Sequence, residues 1–292
     1  MGKLRRTRSI LLAWEGRWPN AQQHAVRFIH GAVASAGMLP GRNVIYPAEV
    51  DFLAHHLKEL PQLFPGLAGV IVHRHPEICR QLVSVLPRRV PVLLYGSSCY
   101  RGLGGTPHQL TTDEDEVVRR ALEHLWKRGH RHIGFLSRPL PAQRRREEAW
   151  RGWLTQRGVP CGPDRVLEVS HLDPLAAFQP AARLRKFLRP LTAVFAAVDV
   201  DLPPLLQAAT KLGLRLPRDL SVAGVDDSDF CEWTHPRLSS VRLPQEKDGA
   251  LAAEAMLRLL DGAPGPIRET GRVEWVLRES VARPRKTPIG RA

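Results

Sequence analysis

The sequence predicts an α/β protein built on parallel, doubly wound sheets in two similar halves. Three observations predict it. Short apolar runs recur along the chain, each followed by a loop and then by a stretch with apolar residues at helical spacing. The runs are continuous rather than alternating, as in strands buried on both faces. The rhythm then restarts after a Gly-, Ser- and Pro-rich stretch, and 292 residues suit two compact lobes.

Ser9–Trp14 (SILLAW) reads as the first strand. A helix follows over Ala21–Ala36, with Ala25, Phe28, Ile29 and Ala32 on one face and Gly37 as its C-cap. Val44–Pro47 is a strand, Asp51–Leu60 a helix, Leu67–Val72 a strand, Pro76–Leu86 a helix ended by Pro87, and Val90–Tyr95 a strand. Gly96–Gln109 reads as a long loop. The second series opens with a helix over Glu114–Arg128 and a strand over His132–Leu136. Helices over Glu147–Gln156, Pro174–Leu188 and Pro203–Leu212 then alternate with strands Val166–Val169, Thr192–Ala197 and Leu220–Val225. Leu238–Leu243, a helix over Glu246–Leu260 and a strand over Glu274–Leu277 complete the chain. Such βα units in series imply parallel sheets.

Lys and Arg number 43 against 29 Asp and Glu, a formal charge of +14. That balance fits either an anionic partner or an arginine-rich solvated surface. The four cysteines (79, 99, 161, 231) have no CxxC or CxxH spacing, which reads as reduced thiols without zinc. No run approaches the roughly 18 apolar residues of a membrane span. The apolar run Ile10–Trp14 after the basic start is too short for a signal peptide, so a cytoplasmic location is expected. His55-His56 and His73-x-His75 lack a third ligand, His130 and His132 read as structural, and Gly102–Gly105 is not a phosphate loop. No cofactor or metal is expected.

From Asp113 onward the residues resemble the effector-binding domain of the lactose-repressor/galactose-repressor family, including its xylose-regulator branch. Four segments carry the resemblance: TTDEDEVVRRALEHLWKRGHRHIGFL, TAVFAAVDVDLPPLLQAATKLGLRLPRDLSVAGVDDSDF, HPRLSSVRLPQEKDGALAAEAMLRLLDG and VEWVLRES. The resemblance implies a periplasmic-binding-protein-like fold: two Rossmann-like lobes joined by three crossings, with a small ligand in the cleft. The lobes are expected at 8–112 plus 241–268 and at 113–240 plus 269–283, with ends 1–7 and 284–292 outside them.

In open α/β sheets the ligand lies beyond the carboxyl ends of the strands. Asp226 and Asp227 follow LSVAGV directly. A carboxylate there can accept hydrogen bonds from vicinal sugar hydroxyls, and the alternative is a turn or cap. The resemblance assigns the ligand to Asp226, with Asp227 orienting the loop. Asp199 follows VFAAV, where the family has Asn-Asp; Val198 removes the amide, and Asp199 either meets ligand or caps the next helix. Ala149 stands where the family places an effector-binding Arg, and Arg145 or Arg146 could replace it. Glu15, Arg17 and Trp18 follow the first strand, and Tyr95 and Ser97 the fourth. A Trp ring at that place either stacks on a sugar face or packs at the core edge.

These readings predict a non-enzymatic sensor of a small effector, a carbohydrate in class, serving a bacterial transcriptional regulator through ligand-driven lobe closure. An α/β enzyme acting on a sugar or nucleoside and a transport-type solute-binding protein are the alternatives. Too few residues precede the first strand or follow Ser280 for a DNA-reading head, so operator DNA is expected to be reached only through a domain outside this chain. No membrane partner is expected. A homodimer is expected through the first lobe's helices and the late helix, whose apolar positions exceed one stripe.

Overall fold

A computed structural model describes residues 7–15, 19–39, 43–64, 66–170 and 174–285. The chain divides into two compact units, Met1–Asp113 with Pro244–Arg272, and Glu114–Leu243 with Val273–Ala292. Three chain crossings connect them, at 113/114, 243/244 and 272/273.

Unit 1 carries strands β1 (Arg8–Trp14), β2 (Asn43–Glu49), β3 (Leu67–His73), β4 (Val92–Ser97) and β5 (His108–Thr112). Its helices are α1 (Pro19–Met38), α2 (Val50–His55), α3 (Leu60–Leu63) and α4 (Pro76–Val85). Unit 2 follows with α5 (Glu114–Lys127), β6 (Ile133–Ser137), α6 (Pro141–Thr155), β7 (Val166–Glu168), α7 (Ala181–Leu188), β8 (Ala193–Ala196), α8 (Leu202–Lys211), β9 (Ser221–Asp226) and β10 (Ser239–Arg242). The chain re-enters unit 1 for α9 (Gln245–Leu260) and β11 (Arg268–Gly271), and ends in unit 2 with β12 (Glu274–Val276).

The sheet of unit 1 has the order β11-β5-β4-β3-β1-β2, all parallel. That of unit 2 runs β12-β10-β9-β8-β6-β7, with β12 alone antiparallel. Each central strand is buried on both faces, as its continuous apolar run requires. β10 pairs with β9 through Arg242, and β11 pairs with β5 through Gly271. The returns between units therefore fall a few residues beyond the expected 241 and 269.

Several elements differ from the sequence reading. The presumed loop 96–109 contains the end of β4, a 3-10 turn at Ser98–Tyr100 and the start of β5. Both β5 (HQLTT) and β11 (RETG) escaped notice because they are short and polar on one face. α6 begins at Pro141, six residues earlier than expected, with Pro at its first turn where a missing N–H costs nothing.

α9 lies against α1 and the sheet, and most of its apolar residues pack there. Ala252, Ala253, Ala255, Met256 and Leu257 are all buried in one core cluster with Phe28 and Ala32 of α1. The two helices touch backbone to backbone. A Cβ on Gly31 would fall 1.8 Å from the Glu246 carbonyl oxygen, and one on Gly249 2.0 Å from that of Phe28. Met256 packs against Gly69 of β3, while Leu251, Leu259 and Leu260 of α9 stay partly exposed. Large apolar side chains are exposed on α1 (Val26, Val33, Met38) and on edge strand β2 (Tyr46).

Candidate functional site

Three non-glycine residues among those described have a left-handed backbone, and all three stand at the carboxyl end of a parallel strand. Arg74 (φ 59°) follows β3, Asp226 (φ 107°) ends β9 and Asp227 (φ 54°) follows it. Such a conformation costs a non-glycine residue about 1–2 kcal/mol. It persists only where neighbouring contacts over-determine it.

In unit 2 those contacts are visible. Asp227 Oδ2 accepts from Arg242 Nε and Oδ1 from Arg278 Nη1, each at 2.6 Å, while its N–H donates to Ser240 Oγ at 3.1 Å. Arg278 also donates to Glu232 Oε1 at 2.6 Å and to the Leu238 carbonyl at 2.8 Å. Beneath this loop Asp199 is completely buried. It accepts from Ser240 Oγ at 2.9 Å, Ser228 N–H at 3.0 Å and Cys231 Sγ at 3.2 Å. No cation reaches Asp199 in that set. Burial, then the charge of Asp226, pushes its carboxyl up to about 8, against the pull of its three donors. Gly224 gives it room, since a Cβ there would stand 1.9 Å from Asp199 Oδ1. Asp201 is also completely buried, held by Arg138 Nη2 at 2.5 Å and Nε at 3.0 Å. Burial raises its carboxyl, Arg138 opposes this, and Asp226 adds to it.

Asp226 therefore sits at the strand edge within the field of two buried carboxyl groups. An ionised carboxylate only accepts hydrogen bonds. Such an edge favours a ligand rich in hydroxyl donors and disfavours an anion at that point.

Unit 1 presents a second polar cluster at its strand ends. Tyr95, in β4, is completely buried; its hydroxyl donates to Asp248 Oδ2 at 2.9 Å and lies 3.2 Å from Gln245 Oε1, both on the first turn of α9. His73, the last residue of β3, stacks on Tyr95 with ring centroids 5.2 Å apart and packs on Phe28 at 4.8 Å. Burial holds His73 neutral, far below its ordinary value, and the charge of Arg74 adds to this. Burial also lifts Asp248 to about 6, while Tyr95 and Arg74 pull it down.

Set against the sequence expectations, the structure sorts the candidates. Asp226 lies at the strand edge as expected. Asp199 neither caps a helix nor reaches the surface; it staples the loop after β9. Arg146 does not reach outward from a turn. It lies inside α6, buried, with Nε 2.6 Å from Glu114 Oε2 and Nη1 2.6 Å from the Ala197 carbonyl. A helix that starts at Pro141 turns this residue inward. Tyr95 faces Asp248 in the interior, and buried Ser97 accepts from the Cys99 N–H at 3.3 Å to start the next turn. Glu15 follows β1, half-buried, while Arg17 and Trp18 lie outside the described residues. His75 caps α4 by accepting from the Ile78 N–H at 3.2 Å. His130 is buried between Thr192 and Ala282, with burial lowering it to about 4, so both histidines have structural places.

Sequence reasoning missed Arg74, Asp201, Arg138 and Asp248. Arg74 stands two residues past the apolar run Leu67–Val72, and the strand-end rule carried one residue further would have found it. Asp248 carried no signal, because an acidic residue in a helix's first turn is ordinary complementation of the helix dipole. Among the described residues no three His, Cys, Asp or Glu side chains are grouped to hold a metal ion, and no helix is long and apolar enough to cross a membrane.

A family model described as a periplasmic binding protein-like domain matches residues 122–281. The probable HTH-type transcriptional repressor ExuR of Bacillus subtilis is 29% identical over 177 residues, covering 60% of this chain and 53% of that protein. The HTH-type transcriptional regulator MalR of Streptomyces coelicolor is 34% identical over 164 residues, covering 55% of this chain and 47% of its own. The chain thus spans about half the length of these curated relatives. Among solved structures, the transcriptional regulator CelR–cellobiose complex superposes with a TM-score of 0.75 at 22% identity, covering 95% of this chain and 85% of that one. That likeness shows the fold.

Proposed function

The chain belongs to the periplasmic-binding-protein-like family, in the form found in lactose-repressor/galactose-repressor regulators, and on that premise we propose that it is the effector-sensing part of a bacterial transcription regulator. The observation that carries the reading is Asp226, an acid in a left-handed backbone conformation at the carboxyl end of the central strand β9. Its surroundings suit a neutral, hydroxyl-rich effector of carbohydrate type. The solved CelR relative holds cellobiose, which supports the same class. Ligand binding biases the chain between conformations that differ in effector affinity, and the regulator reads that bias. Operator DNA is contacted by another domain of the regulator, in the cytoplasm. The relatives ExuR, MalR and CytR are named as transcriptional regulators and repressors, which favours this reading over the enzyme and transport alternatives.

The reading extends to a homodimer through the first lobe's helices and the late helix, for which α1 and edge strand β2 also offer exposed apolar side chains. Light scattering at micromolar concentration tests it: a mass near 32.7 kDa rejects the dimer, and twice that supports it.

The effector reading is tested by a thermal-shift screen of pentoses, hexoses and disaccharides against the wild type and Asp226→Ala. The expected result is a hit whose shift disappears in the variant while the circular dichroism spectrum is unchanged. Equal affinity in both proteins removes Asp226 from the site, and no hit in the carbohydrate set removes the effector class.

A further inference from the structure

We propose that unit 1 carries a separate binding site for a small phosphorylated polyol, at the far edge of its sheet. A cavity of about 430 Å³ opens there between β5, the edge strand β11 and the loop 101–107, lined by residues of unit 1 alone. That volume is within the usual range for small-molecule sites.

The register of the sheet builds the floor. Arg268 pairs with Gln109 and Thr270 with Thr111, so all four side chains project from one face. Leu110 points the other way into the core. The wall is fixed in advance. Arg80 Nη2 donates to the Leu103 carbonyl at 2.9 Å, and Thr106 Oγ1 to the Val92 carbonyl at 2.5 Å. Gly104 lies so close to Leu94 and Cys79 that a Cβ would stand 2.8 Å and 3.0 Å from them.

The polar groups on this cavity are unspent. Arg101, Gln109, Thr111, Arg268 and Thr270 make no side-chain hydrogen bond or ion pair with the other described residues. Gln109 and Thr111 are nevertheless more than nine-tenths buried. Their polar atoms open onto the cavity. The one acid in the lining, Glu269, is engaged by Arg258. Two free guanidinium groups therefore face the cavity, with an amide and two hydroxyls between them. Guanidinium forks match phosphate oxygens, and the amide and hydroxyls match sugar hydroxyls. At the Asp226 end of β9, by contrast, Arg242 and Arg278 are engaged by Asp227.

Calorimetric titration of the full chain at physiological salt tests the proposal, with ribose 5-phosphate, ribose and inorganic phosphate as probes. Ribose 5-phosphate is expected to bind, ribose not to bind at this site, and inorganic phosphate to bind more weakly. Arg101→Ala and Arg268→Ala should each weaken ribose 5-phosphate at least tenfold. Gln109→Leu should weaken it while leaving inorganic phosphate unchanged. Arg189→Ala, an exposed arginine elsewhere, and Asp226→Ala should leave it intact. Affinity that is the same in all five variants would mean diffuse attraction to a chain of net charge +14 and would overturn the site. So would loss of binding in Asp226→Ala with retention in Arg268→Ala, which would place the ligand with the effector residue, or no binding at all.

Discussion

Two buried carboxyl groups, one in each unit, lie against a strand glycine, and their surroundings differ. A Cβ on Gly224 would stand 1.9 Å from Asp199 Oδ1, and one on Gly271 2.5 Å from Asp248 Oδ1. Around Asp199, the neighbouring acids Asp201 and Asp227 are each tied to arginines. Asp248 accepts from the Tyr95 phenol, which also lies beside the Gln245 amide oxygen and stacks on the neutral His73. Unit 2 thus fixes its strand edge with charge, and unit 1 with aromatic packing and neutral hydrogen bonds. Charged networks fail sharply when one member is lost, whereas neutral ones lose single bonds.

The widest gap between the units should appear at their interior anchors. Arg146→Met in unit 2 leaves Glu114 buried beside a carbonyl that has also lost its donor. Removing one partner of a buried ion pair typically costs about 3–5 kcal/mol. Urea unfolding should show a loss in that range. A loss under about 1 kcal/mol, as for exposed pairs, would mean that water relieves Glu114.

Tyr95→Phe is the matching change in unit 1. It removes only the hydroxyl that donates to Asp248 and keeps the stacked ring. The cost should be about 1–3 kcal/mol, the usual penalty for a buried acceptor left without its donor. Since that hydrogen bond holds the Asp248 carboxyl down, its titration should also move upward, readable by carbonyl-carbon NMR. An unmoved titration would show that Tyr95 is not its chief donor.

How much of this was legible beforehand follows from where the signals reside. The strands of the two centres were read correctly because burial on both faces forces continuous apolar runs, such as SILLAW and LSVAGV. β5 and β11 were not, since one of their faces lines a cavity and carries Gln, Thr and Arg. The place of Asp226 at the end of β9 was read because it terminates such a run. The inward turn of Arg146 and the pairing of Asp248 with Tyr95 were not, because they depend on which helix face meets the core across 32 and 153 residues of sequence.

The pH dependence of stability should separate the same two acids. Both carboxyls are raised above the ordinary 3.8, to about 8 for Asp199 and about 6 for Asp248. The folded chain therefore binds each proton more tightly than the unfolded chain does. Each contribution is full below pH 4 and is lost as pH rises through the folded value. Asp199→Asn should flatten the decline in stability out to pH 8, and Asp248→Asn only the part below about pH 6. Differences between wild type and variant, from urea midpoints at several pH values, cancel the opposing titration of the buried histidines. A difference curve for Asp199→Asn that levels off by pH 5 would mean that Asp199 is ionised in the folded state.

The smallest effect should come from Arg242→Ala. Arg242 holds Asp227 at 2.6 Å, but its side chain is 45% exposed and its second partner, Glu274, stands 3.6 Å away and is 67% exposed. Solvent screens such pairs, and they contribute about 0–1 kcal/mol. Asp227 would also keep Arg278, only 7% exposed, at 2.6 Å on its other oxygen, and the Ser240 hydroxyl on its N–H. The left-handed turn at 226–227 should therefore survive, and effector affinity with it. A thermal midpoint within about a degree or two of wild type is expected. Retained stability with lost effector binding would show instead that Arg242 meets the ligand, and that the charged edge of unit 2 recognises as well as positions.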